Sequence, residues 1–321
     1  MEARKRKSNQ RQALLIRFPC FSGNKYVRHV AAFVQDKPSR RRHLSHPHPA
    51  ISASSRPAVL TIAGFDPSSG AGVTADLKVF AAHGLYGLSA ITALTVQSTQ
   101  GVRRTQPTDP GFLAETLECL ADDITITGIK IGMLASAGVV ETVAKFLSSS
   151  GIPRERIVLD PVIRSSSGRA LLDSAGLDHL QGALLPLVGW ITPNLDELAE
   201  LAATSVSSRD SIPVAARELL CRYPGLNIVV TGGHLDPPDD FLLSSEGAQH
   251  WFPGERIETT ATHGTGCTFS SALLCQLVQG SDPLSAVAGA KRYVRAAMEA
   301  AYPVGKGRGP LHHLYRLDQN R

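Results

Sequence analysis

The chain has 321 residues, of which 43% are apolar, and a formal net charge of +5. This apolar share is enough to bury a sizeable core in one large domain or two small ones. The charge is uneven, because residues 1–56 carry a balance of +11 and residues 57–321 a balance of −6. A mildly acidic folded part argues against a nucleic-acid-binding surface across the domain.

The cysteines and the apolar segments exclude further classes of protein. Five cysteines without a Cys-x-x-Cys pair argue against a disulfide framework and a zinc site. No apolar run approaches the roughly 20 residues of a membrane span, so we expect no membrane insertion.

Residues 1–56 form a separate, basic N-terminal extension, rich in Arg, Ser and His and poor in acid. This composition is typical of an organellar transit peptide, and a disordered basic tail is the alternative. We therefore expect a plastid or mitochondrial location if the extension is a transit peptide, and a cytoplasmic one otherwise. The second domain, residues 57–321, is expected to hold the function.

From residue 58 on, strand patterns alternate with helix patterns. Strands are predicted over 58–63, 88–96, 125–131, 157–159, 189–192 and 227–231. Helices are predicted over 75–81, with Asp76 in the first turn, and over 110–121, 136–148, 194–201, 210–221, 267–279 and 283–300. A hairpin is predicted over 241–253. Alternation of this kind predicts an α/β fold with a largely parallel sheet covered by helices on both faces.

The stretch THGTGCT at 262–268 stands directly before a helical pattern. Its residues Gly264, Thr265, Gly266 and Cys267 predict a loop whose backbone N–H groups bind an anion at a helix N-terminus. There the pKa of the Cys267 thiol is expected to be lowered. The alternative is a tight turn with a buried cysteine.

Three other groups of residues suit the transfer of a phosphoryl group from ATP to a small alcohol. Asn194 and Glu197 share one face of a helix start and suit Mg²⁺, although the same spacing is also a capping box. Gln97 is expected just past a strand end, where its amide suits a heteroaromatic amine or simply binds water. The strand end at Thr231 and Gly233 suits a purine.

At this point the chain resembles a known family. The motifs are AGFDPSSGAGVTADLK at 63–78, ITALTVQSTQGV at 91–102, KIGML at 130–134, LDPV at 159–162, TPN at 192–194, GGH at 232–234, THGTGCT at 262–268 and GKGRGPLHH at 305–313. They are similar, in this order, to the hydroxymethylpyrimidine/phosphomethylpyrimidine kinases of thiamine biosynthesis, members of the ribokinase-like superfamily.

The resemblance implies a three-layer α/β/α fold and two ATP- and Mg²⁺-dependent phosphorylations at one site. The substrates would be 4-amino-5-hydroxymethyl-2-methylpyrimidine and its monophosphate. Gln97 would pair with the aminopyrimidine in a pocket lined by Gly64, Asp76, Met133 and Val162, although Met133 is more often core filler. Cys267 stands where most of the superfamily has an aspartate base.

The resemblance further implies nucleotide contacts by Asn194, Thr231, Gly233 and Lys306, magnesium binding through Glu197, and a homodimer. A thiamine-enzyme domain that follows this one in many eukaryotic members would here be a separate protein. Ser166 and Thr231 replace lysines of many members, and Arg164, Arg169 or Lys306 are candidates to compensate.

Two other functions stay open at this stage. Pyridoxal kinase shares the superfamily and phosphorylates a similar hydroxymethyl compound, although Gln97 and Met133 favour the pyrimidine. A catalytically impaired precursor-binding protein would explain Ser166 and Thr231 in place of lysines.

Overall fold

The structure, a computed structural model, describes residues 56–165 and 168–318. The predicted extension up to residue 55 and the position of Ser166 lie outside the described residues. Within the described ranges, no helix is long and apolar enough to span a membrane.

Nine strands of the described chain form one sheet in the order β3-β2-β1-β4-β5-β6-β7-β8-β9. The strands are β1 (Ala58–Phe65), β2 (Tyr86–Ser98), β3 (Gly101–Pro107), β4 (Ile126–Ile131), β5 (Ile157–Leu159), β6 (Trp190–Ile191), β7 (Asn227–Val230), β8 (Asp240–Leu243) and β9 (Gln249–Phe252). The six central strands run parallel, while β3, β8 and β9 pair antiparallel. The predicted α/β fold is therefore confirmed.

The first six α-helices of the described chain connect these strands, and the last three follow β9. They are α1 (Gly72–Ala82), α2 (Pro110–Asp123), α3 (Ala137–Ser150), α4 (Ser174–His179), α5 (Leu195–Ala202), α6 (Ser211–Arg222), α7 (Thr265–Val278), α8 (Pro283–Glu299) and α9 (Tyr315–Asp318). Several begin at a residue that satisfies the free N–H groups of the first turn, as Asp109 does for Phe112 before α2 and Asp282 for Ser285 before α8.

The sheet separates two apolar layers, because successive strand residues point to opposite faces. On β1, Leu60 and Ile62 belong to one buried cluster together with side chains of α3, α5 and α6. Val59 faces the other way and belongs to a second cluster together with side chains of α1, α7 and α8. This gives the three-layer α/β/α arrangement that the resemblance implied.

The strand order reverses at β1, whose neighbours are β2 on one side and β4 on the other. In open parallel sheets, ligands bind at the carboxyl ends of the strands beside such a reversal. Strand β1 ends in Gly64-Phe65, and the segment that leaves β4 begins with Gly132-Met133. The topology therefore places the glycine-rich loop and Met133 at the expected ligand crevice.

One strand was missed, and two local predictions are wrong. Residues 101–107 form the edge strand β3, which was not predicted because four of its residues are polar. Gln97 lies within β2, opposite Val102, and not past its end, because pairing with β3 extends the strand. Asp76 lies in the second turn of α1, since the helix already begins at Gly72.

Candidate active site

The predicted anion-binding loop stands at the start of α7. Gly264 begins the helix with φ +86°, a backbone conformation that favours glycine, and no side chain caps the helix. A Cβ atom at Gly264 would lie 1.9 Å from the carbonyl oxygen of Gly70. The two glycine-rich loops, one before α7 and one after β1, therefore touch through bare backbone.

Cys267 lies in the first turn of α7 and is partly buried. The backbone N–H of Gly72 and the carboxylate of Asp160 both act on its thiol. Burial raises the pKa of Cys267 to about 12, and the nearby carboxylates add to this effect while Lys130 opposes it. The predicted lowering of this pKa is therefore wrong, because burial and two negative charges outweigh the helix N-terminus.

Asp160 follows β5 and is 5% exposed. Its carboxylate is 3.3 Å from the Ser270 hydroxyl, which donates to it from the second turn of α7. Burial raises the pKa of Asp160, and the charge of Asp76 raises it further while Lys130 lowers it. A hypothetical Cβ at Gly266 would be 3.8 Å from Asp160, so this carboxylate lies directly beneath the anion-binding loop. Asp160 was assigned no role from the sequence, although an aspartate directly after a buried strand is a signal for one.

Glu197 and Asn194 form the capping box at the start of α5. The Glu197 N–H donates to the Asn194 side chain, and the Asn194 N–H donates to the Glu197 carboxylate, both at 2.9 Å. Burial, together with the charge of Asp160, raises the pKa of Glu197 to about 8. The two buried carboxylates thus make this part of the site favourable for a cation.

The donor set fits Mg²⁺ bound through water. In the described ranges, no three His, Cys, Asp or Glu side chains are grouped as a metal site. Mg²⁺ usually takes one or two carboxylates, several waters and substrate phosphates. Glu197 therefore has the chemistry to hold the ion in this way, with Asp160 nearby.

The predicted nucleotide residues lie at the ends of neighbouring strands. The Thr231 N–H, just after β7, donates to the carbonyl of Pro193, which precedes Asn194. Gly233 is exposed, and a Cβ atom there would meet nothing within 4 Å. Thr231 therefore lies beside the segment that leads into Asn194, and Gly233 borders open space.

The predicted apolar wall of the substrate pocket is present at the strand reversal. Met133 is 9% exposed and shares a small cluster with Ala93 and Val162. A Cβ atom at Gly64 would lie 3.1 Å from the Met133 sulfur, so glycine here lets Met133 approach the backbone after β1. The structure therefore brings Gly64, Met133 and Val162 together.

Gln97 approaches the anion-binding loop through His263. The Gln97 Nε2 atom is 3.2 Å from His263 Nε2, which is also 2.7 Å from the carboxylate of Asp66. Burial raises the pKa of Asp66, but hydrogen bonds from His263 and Ser68 outweigh it and hold that pKa below its usual value. Neither Asp66 nor His263 received a role from sequence, although both lie in the quoted motifs.

Asp76 is fully buried and does not line an open surface. Both of its oxygens contact Lys130 Nζ, at 3.0 and 3.1 Å, and they also accept hydrogen bonds from Thr61 and Ser271. The predicted lining role thus has no exposed atom to act through. Lys130 was missed as well, although a lysine within the apolar strand β4 is a signal for a buried partner.

Lys306 is exposed on the C-terminal tail, which crosses the site. The flanking Gly305 and Gly307 lie so close to Thr99 that a Cβ atom would be 2.4 and 2.0 Å from its atoms. The Gly309 carbonyl accepts from the His263 N–H. The tail therefore connects the end of β2 with the anion-binding loop.

Comparison with known proteins decides the family. The family model described as phosphomethylpyrimidine kinase matches residues 66–312. The chain belongs to this family.

The curated relatives agree with this assignment. The chain is 42% identical to the hydroxymethylpyrimidine/phosphomethylpyrimidine kinase of Escherichia coli, over 80% of this chain and 97% of the relative. It is 38% identical to the thiamine biosynthesis bifunctional protein ThiED of Geobacter sulfurreducens, over 87% of this chain, and spans 59% of that longer protein.

Two solved structures are similar to this member of the phosphomethylpyrimidine kinase family. A phosphomethylpyrimidine kinase from Clostridium difficile has a TM-score of 0.67 and 33% identity, covering 75% of this chain and 99% of its own. An ADP complex of Bacillus subtilis pyridoxal kinase has a TM-score of 0.73 and 30% identity, covering 82% and 100%.

The raised pKa of Cys267 predicts slow alkylation. Its shift from 9.0 to about 12 lowers the thiolate fraction about a thousandfold relative to an ordinary cysteine. Iodoacetamide at pH 8, followed by peptide mass spectrometry, should therefore modify the exposed Cys119 and Cys221 well before Cys267. Faster modification of Cys267 than of these two internal controls would contradict the raised pKa.

The pKa of Glu197 predicts a pH-dependent stability. Its folded value of about 8 exceeds the ordinary 4.5, so the folded state holds this proton more tightly. The resulting stabilisation is complete below pH 4.5 and is lost as the pH rises to 8, by at most about 1.4 kcal/mol per pH unit. Urea unfolding should show a steeper loss between pH 5.5 and 8.5 for the wild type than for Glu197→Gln.

Glutamine keeps the capping box, so the variant isolates the charge. At pH 8.5, Mg²⁺ should raise the stability of the wild type more than that of Glu197→Gln. Parallel pH dependences of the two proteins would refute the raised pKa, and equal responses to Mg²⁺ would refute binding through Glu197.

Proposed function

We propose that this protein transfers the γ-phosphoryl group of ATP to 4-amino-5-hydroxymethyl-2-methylpyrimidine and then phosphorylates the monophosphate to the diphosphate. This is the activity by which the E. coli relative is named. The observation that carries the proposal is the contact between the loops at Gly70 and Gly264, which joins the apolar pocket after β1 to the anion-binding helix start.

The acceptor alcohol is held between two kinds of surface. Gly64, Met133 and Val162 give the apolar wall for the ring, and Gln97 offers the amide that pairs with the amino group and ring nitrogen. These groups lie next to the loop of Gly264, Thr265 and Gly266. The hydroxymethyl oxygen of the ring is thereby directed at the bound γ-phosphate.

The phosphoryl group is stabilised mainly by fixed dipoles. The backbone N–H groups of Thr265, Gly266 and Cys267 point to the charge that develops on the transferring oxygens. The acceptor oxygen forms the new bond to phosphorus, the bond to the bridging oxygen of ADP breaks, and the hydroxyl proton passes to solvent water. Mg²⁺ held through Glu197 would neutralise part of the phosphate charge when bound.

Cys267 acts here as a neutral positioning group. A thiol with a pKa of about 12 is not ionised near pH 7, so a thiolate base is not available before the substrate binds. The neutral thiol lies near the Gly72 N–H and the Asp160 carboxylate. In this position it orients the attacking hydroxyl group.

The nucleotide side is assigned to Asn194, Thr231 and Gly233, which lie together at the ends of β6 and β7. The similar pyridoxal kinase of Bacillus subtilis was solved in complex with ADP, which supports a nucleotide substrate here. Lys306 is proposed to approach the phosphates from the C-terminal tail, where its side chain is exposed and where Gly309, three residues further on, accepts a hydrogen bond from the His263 N–H.

Two further assignments belong to this proposal. We infer a homodimer, which the exposed apolar side chains of Leu94 and Val96 on β2 support, at 53% and 47% exposure. We propose a plastid or mitochondrial location if residues 1–56 are a transit peptide, and a cytoplasmic location otherwise.

The test is a coupled ADP-release assay on the full chain, with the pyrimidine alcohol, its monophosphate and pyridoxal as acceptors. We expect turnover on both pyrimidines and little on pyridoxal. Cys267→Ala should lower kcat/KM about tenfold to a hundredfold, the range of a positioned group. The exposed Cys221→Ala is the matched control and should leave the rates unchanged.

Two results would refute the proposal. Turnover on pyridoxal alone would show that the protein is a pyridoxal kinase, like its structural relative from Bacillus subtilis. Binding of the pyrimidine without ADP release from any acceptor would indicate a precursor-binding protein that has lost catalysis.

A further inference from the structure

One ring nitrogen of His263 faces two partners. His263 Nε2 lies 2.7 Å from Asp66 Oδ2 and 3.2 Å from Gln97 Nε2. A single nitrogen of a neutral or charged imidazole either donates or accepts, but does not do both. The contact with Asp66 therefore decides whether the Gln97 amide faces a donor or an acceptor.

Asp66 requires a hydrogen on His263 Nε2. Its carboxylate also accepts from the Ser68 N–H at 2.8 Å and from the Ala71 N–H at 3.0 Å, which favours the ionised form. An ionised carboxylate only accepts hydrogen bonds. His263 Nε2 thus carries the hydrogen and does not accept one from the Gln97 amide.

The opposite end of the Gln97 amide leads to the same conclusion. The Thr95 hydroxyl lies 3.0 Å from the Phe65 carbonyl oxygen and 3.1 Å from Gln97 Oε1. Its one hydrogen is taken by the carbonyl, which only accepts. A half-turn of the Gln97 amide removes both conflicts: the amide oxygen then shares the His263 N–H with Asp66 in a three-centre contact, and the amide nitrogen donates to Thr95.

The His263 ring is held in the place that this role requires. A Cβ atom at Gly70 would lie 2.3 Å from its Cδ2 atom, so glycine lets the loop after β1 pack against the ring. The backbone N–H of His263 donates to the Gly309 carbonyl at 3.1 Å. The ring is therefore fixed by contacts with two separate segments.

We propose that His263, held by Asp66, is a positioning residue that sets the orientation of the Gln97 amide and so makes the site select a 4-aminopyrimidine over its 4-oxo analogue. This inference rests on the proposed function, in which Gln97 meets the ring. It adds how the site distinguishes two rings of nearly the same shape.

The chemistry of the two rings explains the selection. A 4-aminopyrimidine presents a donor amino group beside an acceptor ring nitrogen, whereas the 4-oxo analogue presents an acceptor oxygen beside a donor N–H. An amide of fixed orientation pairs with one of these edges and opposes the other. Turning the ring over would restore the pairing but would carry the hydroxymethyl group away from the anion-binding loop.

The experiment measures Kd by calorimetry, without ATP, for the 4-amino alcohol and its 4-oxo analogue. The full chain is compared with His263→Phe, which removes the donor, and with His263→Gln, which carries a donor on its amide. His312→Phe is the matched control, because His312 Nε2 makes an equally short contact of 2.7 Å with Asp318. Thermal unfolding of each variant reports whether it folds.

The ratio of the two Kd values is the readout that a purely structural defect would not change. We expect His263→Phe to reduce the preference for the 4-amino ring about tenfold or more, the effect of one oriented hydrogen bond. His263→Gln should retain most of the preference, and His312→Phe all of it.

Three outcomes overturn the inference. If His263→Phe weakens both ligands equally, the histidine has only a structural role. If His263→Phe does not fold, the comparison uses His263→Gln and an additional variant, Gln97→Ala. Equal Kd ratios for His263→Gln, Gln97→Ala and His312→Phe would show that Gln97 does not discriminate the rings. If the wild type binds neither ring, the proposed function itself fails, and this inference fails with it.

Discussion

The ion pair between Lys130 and Asp76 connects the elements that carry the pyrimidine pocket with the helix that carries the anion-binding loop. Both side chains are 0% exposed, and the Nζ atom lies 3.0 Å from the carboxylate. Thr61 on β1 and Ser271 on α7 donate to the same carboxylate, so one buried group connects β1, α1, β4 and α7. The pyrimidine wall extends from β1 and β4, and α7 begins with the anion-binding loop. A buried charge of either sign is costly without its partner, so this contact restrains how the four elements pack.

The same pair determines the electrostatics under the phosphate. Burial lowers the pKa of Lys130, but the charge of Asp76 outweighs it and raises that pKa above its ordinary value. The lysine therefore stays charged beneath α7, where it opposes the increase in the pKa of Cys267 and of Asp160. Burial still wins at Cys267, which leaves a neutral thiol. In this family member the cationic support of the site thus includes a buried lysine on a strand, in addition to exposed groups on loops.

The fold was largely predictable because periodicity reports burial directly. Alternation of apolar strands with amphipathic helices gave the parallel sheet, and the hairpin of β8 and β9 was predicted by turn residues. Strand β3 was missed, because its polar residues form an edge and pack against little core. The end of β2 was misplaced for the same reason, since its last residues pair only with β3.

The loops of the site could be predicted from the sequence, whereas the pKa values and long-range contacts of its ionisable side chains could not. Glycines before α7 and the Asn194–Glu197 spacing are local patterns, and the structure shows both the loop and the capping box. The pKa of Cys267 depends on three charges from β4, β5 and α1, which no local pattern contains. The same holds for the contact of His263 with Asp66, two residues 197 positions apart. Local chemistry is therefore readable from sequence, whereas the energy of a buried charge requires the packed structure.

The most direct test of this account is a double-mutant cycle on Lys130→Met and Asp76→Asn, followed by urea unfolding and by the Kd of the pyrimidine. Each single variant leaves a buried group unpaired and should lower the free energy of unfolding by about 3–5 kcal/mol. The double variant should recover much of that loss and bind the pyrimidine better than either single variant. Additive losses, with pyrimidine affinity unchanged in all three variants, would contradict the claim that this pair supports the site.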